Sequence, residues 1–233
     1  ALSRAAIADE LGLDRKSVSN LANELIAEGW LCESGSVSDS GRGRPGTLLE
    51  LNRNEHFFIG LYLSETSVKG ILINLHGETL AWKQQAHSTV NLKQIRSSVH
   101  KVYQYLRRQA ADKLQAIGMA VPGIIDFHTG TVLRSVNIAQ LEGIELRSLL
   151  PGELPAELFI EESSRAKALA ELYFGAGQGR SSFVSIDLGI GIGAGIIAAK
   201  RIQGGVFAGE IGHLQIEPGG RLCACGHYGC LEA

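Results

Sequence analysis

Three cysteines within eight residues constrain the fold of this 233-residue chain more than any other feature of its sequence. Cys223, Cys225 and Cys230 follow His213, and nearby glycines would let the backbone turn tightly around an ion. Three thiolates and one imidazole form a closed, tetrahedral donor set for zinc. Cysteines crowded in this way favour a metal site over a disulfide framework. We therefore expect a structural Zn²⁺ on these four residues, with His227 as a weaker competing ligand and free thiols or a labile redox pair as the alternative.

The bulk composition is that of an ordinary globular protein, with 45% hydrophobic and 20% charged residues. The length allows two domains, one of them small. No apolar run reaches the roughly 18 residues that a membrane-spanning helix needs, and the start does not resemble a signal peptide. These features predict a soluble, cytoplasmic protein that does not insert into membranes. Since the first residue is not Met, we expect the natural chain to be longer.

The first 52 residues show a helix, a turn, a second helix, a strand, a loop and another strand. Residues 4–11 place Ile7 and Leu11 on one helical face, and Gly12 then interrupts the pattern. Asp14 can cap a second helix, which ends near Gly29. The apolar face of that helix consists of Val18, Leu21, Leu25 and Ile26. Strands at 30–33 and 47–51 flank a loop rich in serine, glycine and arginine. This order predicts a winged helix-turn-helix domain in residues 1–52.

The second helix has a polar face that suits contact with DNA. Its members are Arg15, Lys16, Ser17, Ser19, Asn20 and Asn23. In the major groove, arginine can bind guanine and asparagine can bind adenine. In the loop, Arg42 and Arg44 suit the narrow minor groove of A·T-rich DNA. The alternative is a solvated helix face followed by a flexible linker. Because residues 1–52 carry eight acidic and five basic side chains, we expect useful binding to double-stranded operator DNA only from a homodimer or homotetramer.

From residue 53 onward, strands and helices alternate. Strands are predicted at 58–63, at 68–74 and, after the turn at His76 and Gly77, from Thr79 onward. A long amphipathic helix follows at about 91–113, with Ile95, Val99, Val102 and Leu106 as its apolar stripe. Further strands at 116–121, 158–160 and 183–188 and a helix at 163–174 complete an α/β pattern.

Two segments of the second half carry a family resemblance. The run from Gly209 to His213 and the cysteine segment through Glu232 resemble the signature of the ROK family of repressors and sugar kinases. Residues 3–52 resemble the DNA-binding head of its repressor branch, which includes the glucose, N-acetylglucosamine and xylose repressors. The resemblance therefore covers essentially the whole chain. It implies an actin-like, RNase H-like sugar-kinase fold in residues 53–233. Family members continue beyond the cysteine segment, so we expect an incomplete second lobe.

The resemblance also implies a sugar pocket beside the metal. In the family, residues that match Glu210, His213 and Glu232 bind sugar hydroxyls. Positions matching Gly123 and Asn137 line the same pocket, and Glu162 stands where an asparagine normally touches the sugar. His213 could hold zinc through one ring nitrogen and a hydroxyl through the other. The alternative for the glutamates is surface charge.

The same comparison predicts that the domain is not an enzyme and has no catalytic residues. Family kinases bind phosphate with Asp-x-Gly-Gly-Thr, whereas this chain has Tyr62 in place of the aspartate and Glu65 nearby. The glycines of the second phosphate segment, at 189–195, are explained equally well by close packing. Ser163 aligns with the general base, which is an aspartate in the kinases, and cannot accept a proton at neutral pH. Glu161 or Glu162 could substitute only if the backbone shifted.

We thus expect a repressor of sugar-utilisation genes that responds to a sugar effector. The alternatives are a sugar kinase with a DNA-binding head and a regulator controlled by a protein partner.

Overall fold

The structure, a computed structural model, describes residues 1–37, 46–88, 91–204 and 209–233. Within these ranges the α-helices are α1 Arg4–Leu11, α2 Arg15–Ala27, α3 Leu92–Ala110 and α4 Ser163–Phe174. The first nine strands are β1 Leu2–Ser3, β2 Leu31–Val37, β3 Gly46–Leu51, β4 Phe57–Leu63, β5 Ser67–Asn74, β6 Thr79–Ala86, β7 Leu114–Val121, β8 Ile124–Asp126 and β9 Thr131–Arg134. The remaining strands are β10 Glu157–Glu162, β11 Phe183–Leu188, β12 Ile192–Ala198 and β13 Arg201–Ile202. Short 3₁₀ turns lie at Ala111–Lys113, Ala139–Leu141, Leu146–Leu149 and Ile211–His213.

Helices α1 and α2 pack beside a small antiparallel sheet with the strand order β1-β3-β2. The Ser3 hydroxyl accepts a hydrogen bond from the Ala6 N–H at the start of α1, and Gly12 ends that helix with a φ of 64°. The Asp14 carboxylate accepts a hydrogen bond from the Ser17 N–H and caps α2. The two helices and two strands predicted for this part of the chain are all present.

The apolar faces predicted for α1 and α2 are only partly buried among the described residues. Leu11 is 64% exposed and Leu21 is 51% exposed, whereas Ala8, Val18 and Ala22 are buried. The small side chains lie on the faces where α1 and α2 meet. The leucines lie on faces that no described element covers.

A five-stranded mixed sheet forms the centre of the rest of the chain, with the order β10-β7-β4-β5-β6. Strands β4, β5 and β6 are antiparallel neighbours, whereas β7 runs parallel to both β4 and β10. Helix α3 covers one face through the predicted stripe of Ile95, Val99, Val102 and Leu106, all of which are buried. Gly70 on β5 allows this close contact, because an added Cβ would collide with Val102 and Leu106. The predicted α/β pattern is confirmed.

A second, antiparallel sheet has the order β11-β12-β13 and packs against α4 through Ala168, Leu172 and Ile197. Strands β8 and β9 form a separate hairpin. The segment 209–233 follows the second sheet and is held by turns, the 3₁₀ turn and isolated bridges. One region of the molecule therefore contains the ends of β7 and β10, the hairpin, the start of α4 and this last segment. None of the helices in the described parts combines the length and hydropathy needed to cross a bilayer.

Candidate metal centre and adjoining cavity

The side chains of His213, Cys223, Cys225 and Cys230 form one compact group in the last segment. Their donor atoms all lie within 4.8 Å of one another, and the three cysteines are buried. The backbone reverses direction between them at Gly226, whose φ is 94°, and the Cys223 N–H donates to the His227 carbonyl at 2.8 Å. This group can bind a metal ion.

Two of the distances between donor atoms match the edges of a tetrahedral zinc site. The Cys225 and Cys230 Sγ atoms are 3.7 Å apart, and the Cys223 Sγ lies 3.6 Å from the His213 Nδ1. Bond lengths of about 2.3 Å from zinc to sulfur and about 2.0 Å from zinc to nitrogen give tetrahedral edges of about 3.8 Å between two sulfurs and about 3.5 Å between sulfur and nitrogen. Hydrogen bonding from the backbone N–H of His227 lowers the pKa of the Cys225 thiol to about 6, whereas burial raises the pKa of the neighbouring Cys230 thiol to about 11. Cys225 is therefore the first of the two to provide the thiolate that metals bind. His227 lies next to the group, with its Nδ1 at 3.5 Å from the Cys225 Sγ.

A cavity of about 330 Å³ adjoins the metal group. Its volume lies within the range of small-molecule sites, about 300–1,000 Å³. The six residues expected at the sugar pocket all line this cavity, although they come from four separate parts of the chain. They are Gly123, Asn137, Glu162, Glu210, His213 and Glu232.

His213 connects the metal group to the cavity. Its Nδ1 faces the Cys223 thiol, while its Nε2 lies 3.7 Å from the Glu210 Oε2. Burial raises the pKa of the Glu210 carboxyl, and the charges of Glu162 and Glu232 raise it further, against the opposing effect of His213. The carboxylates therefore lie close enough to interact through a shared, partly desolvated space.

Glu232 and Glu162 are both held by backbone N–H groups. The Glu232 Oε2 accepts a hydrogen bond from the Ile192 N–H at 2.7 Å. The Glu162 carboxylate caps α4 by accepting from the N–H groups of Ser164 at 2.8 Å and Arg165 at 3.0 Å. These bonds fix the positions of two of the carboxylates that face the cavity.

The residue aligned with the general base makes a different contact. The Ser163 hydroxyl donates to the Glu162 Oε1 at 2.7 Å. Glu161 is equally engaged, because its Oε1 pairs with the Arg165 Nε at 2.7 Å. Neither glutamate is left as an unpaired base in this arrangement.

Sequence reasoning did not identify three charged residues that also line the cavity, Arg134, Lys167 and Asp187. The Lys167 Nζ pairs with the Asp187 Oδ2 at 2.5 Å and lies 5.3 Å from the centre of the Tyr62 ring. The Arg134 Nη2 donates to the Cys225 carbonyl at 2.7 Å. The only signal for Lys167 was its position four residues after Ser163, on one side of a predicted helix. The sequence around Arg134 gave no indication of its role, because its partner, the Cys225 carbonyl, lies 91 residues away.

Packing explains most of the glycines between 189 and 195. A Cβ at Gly195 would lie 2.7 Å from the Ser164 carbonyl oxygen and against Ala168, and one at Gly193 would lie 3.1 Å from the Ser164 Cβ. A Cβ at Gly191 would lie 2.7 Å from the Glu232 Oε2. Gly189 differs, because nothing lies within 4 Å of the position its Cβ would take. Packing against α4 thus requires the glycine at 195 and favours the one at 193, and the Glu232 side chain favours the one at 191.

The residues expected to contact DNA lie apart from the cavity. Of the expected residues on α2, five are exposed, namely Arg15, Lys16, Ser17, Asn20 and Asn23. Ser19 is half-buried and its hydroxyl donates to the Arg15 carbonyl at 2.8 Å. Asn23 is exposed and accepts a hydrogen bond from Arg4 at 3.1 Å, which engages its side-chain oxygen within the unit. Arg42 and Arg44 lie outside the described residues.

A stacked pair of rings joins the N-terminal unit to the central sheet. The rings of Trp30 and His56 are 3.8 Å apart and nearly parallel, at 19°. The His56 Nε2 lies 3.0 Å from the Glu28 carbonyl just after α2, and the Asn52 N–H donates to the Trp30 carbonyl at 2.9 Å. Beyond the junction, Lys113 donates to the Asn54 carbonyl at 2.7 Å. The connection between the two units is therefore extensively bonded.

Comparison with known proteins adds to this geometry. The model of the ROK family matches residues 58–233. The chain belongs to the ROK family. This ROK chain is 33% identical over 238 residues to the xylose repressor of Caldicellulosiruptor bescii, a match that covers 99% of the chain and 59% of the relative. The chain thus spans less than two thirds of the length of that repressor.

Solved structures of the same family have the same fold. A ROK family transcriptional regulator, a homologue of the E. coli MLC protein, is 26% identical with a TM-score of 0.78, over 98% of this chain and 59% of its own. A ROK family glucokinase from Streptomyces griseus, in complex with glucose and AMPPNP, is 28% identical with a TM-score of 0.68, over 76% of this chain and 56% of its own. The α/β part of the chain accordingly has the actin-like fold of ROK sugar kinases.

Proposed function

We propose that this chain is the DNA-binding and sugar-sensing part of a repressor of carbohydrate-utilisation genes. The observation that carries the proposal is the composition of the cavity. Six residues that match sugar-binding positions of the family line it together, while the position of the general base is a serine bonded to Glu162. Similarity to a xylose repressor and to a solved ROK family transcriptional regulator supports the same conclusion.

The chemistry of the cavity suits sugar hydroxyls. Carboxylate oxygens of Glu210 and Glu232 accept hydroxyl protons, and charge-assisted hydrogen bonds of this kind are the strong ones. Glu232 keeps one oxygen for the ligand, because its other oxygen accepts from Ile192. His213 offers its Nε2 on the cavity side. Asn137 supplies an amide, which can both donate and accept.

We further propose that the metal is a structural Zn²⁺ held by His213, Cys223, Cys225 and Cys230. The ion, when bound, supplies charge that keeps the thiols deprotonated and holds the imidazole in one orientation. His213 would then present a fixed Nε2 to the sugar beside Glu210. Sugar affinity and metal content should rise and fall together.

Phosphoryl transfer is not part of the proposed function. A serine hydroxyl does not accept a proton at neutral pH, and the neighbouring glutamates are occupied by α4 and Arg165. Tyr62 stands at the expected position of the magnesium-binding aspartate. A coupled assay with ATP and hexoses tests this point. Turnover that disappears on changing Glu161 or Glu162 would instead favour the alternative of a kinase with a DNA-binding head.

Control by a protein partner in place of a sugar has less support. That alternative would be favoured if Glu162 blocked the pocket. The Glu162 carboxylate is instead turned into the start of α4, and a cavity of about 330 Å³ remains beside it.

We propose that residues 1–52 form a winged helix-turn-helix and that residues 53–233 form the sugar-sensing domain. Helix α2 would enter the major groove with Arg15, Lys16 and Asn20, which are exposed. The loop with Arg42 and Arg44 would reach the minor groove. Since acidic residues outnumber basic ones in this unit, two copies on a two-fold operator would be needed for tight binding.

Sugar binding would be communicated through the bonded junction at Trp30 and His56. A sugar that binds one arrangement of the two sheets more tightly shifts the population toward it, and the rigid connection changes the placement of α2. The full-length protein carrying zinc should therefore release operator DNA in gel-shift titrations with one sugar of a panel. Glu210→Gln should keep DNA binding and lose the sugar response, whereas Glu157→Gln, at the exposed start of β10, should keep both. Absence of DNA binding at low salt, with the metal present, would refute the proposal.

A further inference from the structure

We infer that the cavity binds an uncharged sugar and rejects sugar phosphates, because the protein's own carboxylates occupy the positions that would hold a phosphate. This inference rests on the proposed sugar-sensing function. It names the class of effector, which the family resemblance leaves open.

The first such position is the start of α4. Unpaired N–H groups and the helix dipole make a helix N-terminus a natural site for a phosphate. Here the N–H groups of Ser164 and Arg165 already donate to the Glu162 carboxylate, at 2.8 Å and 3.0 Å. The Ser163 hydroxyl donates to the same carboxylate. A phosphate at this point would have to displace a charged group that is covalently part of the helix.

The second position is the glycine segment at 189–193. In phosphate-binding loops, successive backbone N–H groups point at the anion. In this chain the Ile192 N–H donates to the Glu232 carboxylate at 2.7 Å, and the Gly189 N–H donates to the Gly191 carbonyl at 2.9 Å. An incoming phosphate would find the first group taken by a negative charge and the second turned inward.

The charged side chains around the cavity add to the same preference. The acidic residues that line it are Glu65, Glu162, Asp187, Glu210 and Glu232. The basic ones, among the described lining residues, are Arg134 and Lys167. Lys167 is paired with Asp187, and Arg134 donates to the Cys225 carbonyl. A phosphate monoester, with a charge of about −1.5 to −2 at neutral pH, would meet five acidic side chains against two basic ones, and of the two cations Lys167 is already ion-paired while Arg134 is held by a carbonyl.

Neutral hydroxyl groups are favoured by the same carboxylates, because a hydroxyl can donate a hydrogen bond to them. Each carboxylate is an acceptor with several lone pairs and needs donors. Glu162 and Glu232 use some of these on backbone N–H groups, and both residues line the cavity. The arrangement that repels a phosphate is thus complementary to a polyhydroxylated, uncharged ring.

Titration calorimetry on the zinc-loaded, full-length protein tests the inference with matched pairs of ligands. The probes are D-xylose with xylose 5-phosphate, D-glucose with glucose 6-phosphate, and N-acetylglucosamine with its 6-phosphate. We expect one parent sugar to bind and its phosphate ester to bind at least tenfold more weakly. An ester that binds as tightly as its parent, or more tightly, would overturn the inference and leave sugar sensing intact. If neither member of any pair binds, the proposed function fails and the inference fails with it.

Charge-removing variants identify the groups responsible. Glu162→Gln and Glu232→Gln keep the size of the side chain and an oxygen that accepts from the backbone. In each variant the dissociation constant of the ester divided by that of the parent sugar should fall at least threefold, even if both ligands bind more weakly. Glu157→Gln removes the same charge at the exposed start of β10 and should leave the ratio unchanged. An unchanged ratio in both cavity variants, with folding intact, would contradict the assignment. If Glu162→Gln does not fold, the wild-type pairs and Glu232→Gln still decide the matter.

Discussion

Adding a single methyl group at Gly195 tests whether the glycines between 189 and 195 serve packing or phosphate binding. Gly195 lies on β12, and α4 crosses directly above it. An added Cβ would lie 2.7 Å from the Ser164 carbonyl oxygen and would collide with the fully buried Ala168. Favourable contacts between such atoms occur at about 3.5–4.0 Å. Helix α4 would therefore have to move by about 1 Å, since a backbone atom cannot rotate away.

The size of the effect follows from these contacts. Overpacking of this kind costs about 1–3 kcal/mol, and contact with backbone and a fully buried methyl places Gly195→Ala in the upper part of that range. Alanine also restricts the unfolded chain, which offsets about 0.4–1 kcal/mol. The free energy of unfolding should therefore fall by about 1–2.5 kcal/mol. At about 2–4 °C per kcal/mol for a chain of this length, the melting temperature should fall by about 2–10 °C.

Gly189→Ala is the matched control, because its Cβ would meet nothing within 4 Å. It should leave the melting temperature unchanged or slightly raised. Circular dichroism on the zinc-loaded proteins, by heating and in urea, measures both variants. The packing explanation is wrong if Gly195→Ala is as stable as the parent. It is also wrong if Gly189→Ala lowers the free energy of unfolding as much as Gly195→Ala does. Glycines retained for phosphate would show a different pattern, in which both variants lose nucleotide affinity.

Three further predictions concern the metal, the DNA and the helix cap. Cys225→Ser should lower zinc affinity at least tenfold and weaken sugar binding. Cys32→Ser, outside the metal group, should change neither property. Metal analysis measures the zinc, and calorimetry measures the sugar binding. Arg15→Ala should weaken operator binding in gel shifts, and if Arg15 contacts phosphate, the slope of log affinity against log salt should fall by about 1. The Ser17 side chain and backbone N–H lower the pKa of Asp14 from 3.8. The cap therefore stabilises α2 above pH 3.8, and this stabilisation is lost as the pH falls through the folded-state pKa. Helical circular dichroism should show this loss in the parent, and Asp14→Asn, which caps without a charge, should remove its pH dependence.

Local pattern in the sequence was sufficient for most of the secondary structure. The stripe of α3 and the cap at Asp14 depend on residues within four positions of one another, so spacing alone predicts them. The metal group was predictable for the same reason, because its cysteines lie within eight residues. Only His213 lies outside that short segment. The exposed Leu11 and Leu21 show where this reasoning fails, since apolar spacing identifies a face and does not identify what covers it.

The sequence by itself thus predicted the helices and most of the strands, the four residues of the candidate metal group, and the residues that match the family's sugar positions. Only the tertiary structure decided how the charged groups of the cavity are used. Glu232 is bound by an N–H 40 residues away, and Arg134 binds a carbonyl 91 residues away. Such partners depend on how separate elements pack, and a hydrogen bond needs positions within a few tenths of an ångström. The proposed preference for an uncharged sugar depends on those bonds, because they determine which carboxylates already occupy the sites where a phosphate would bind.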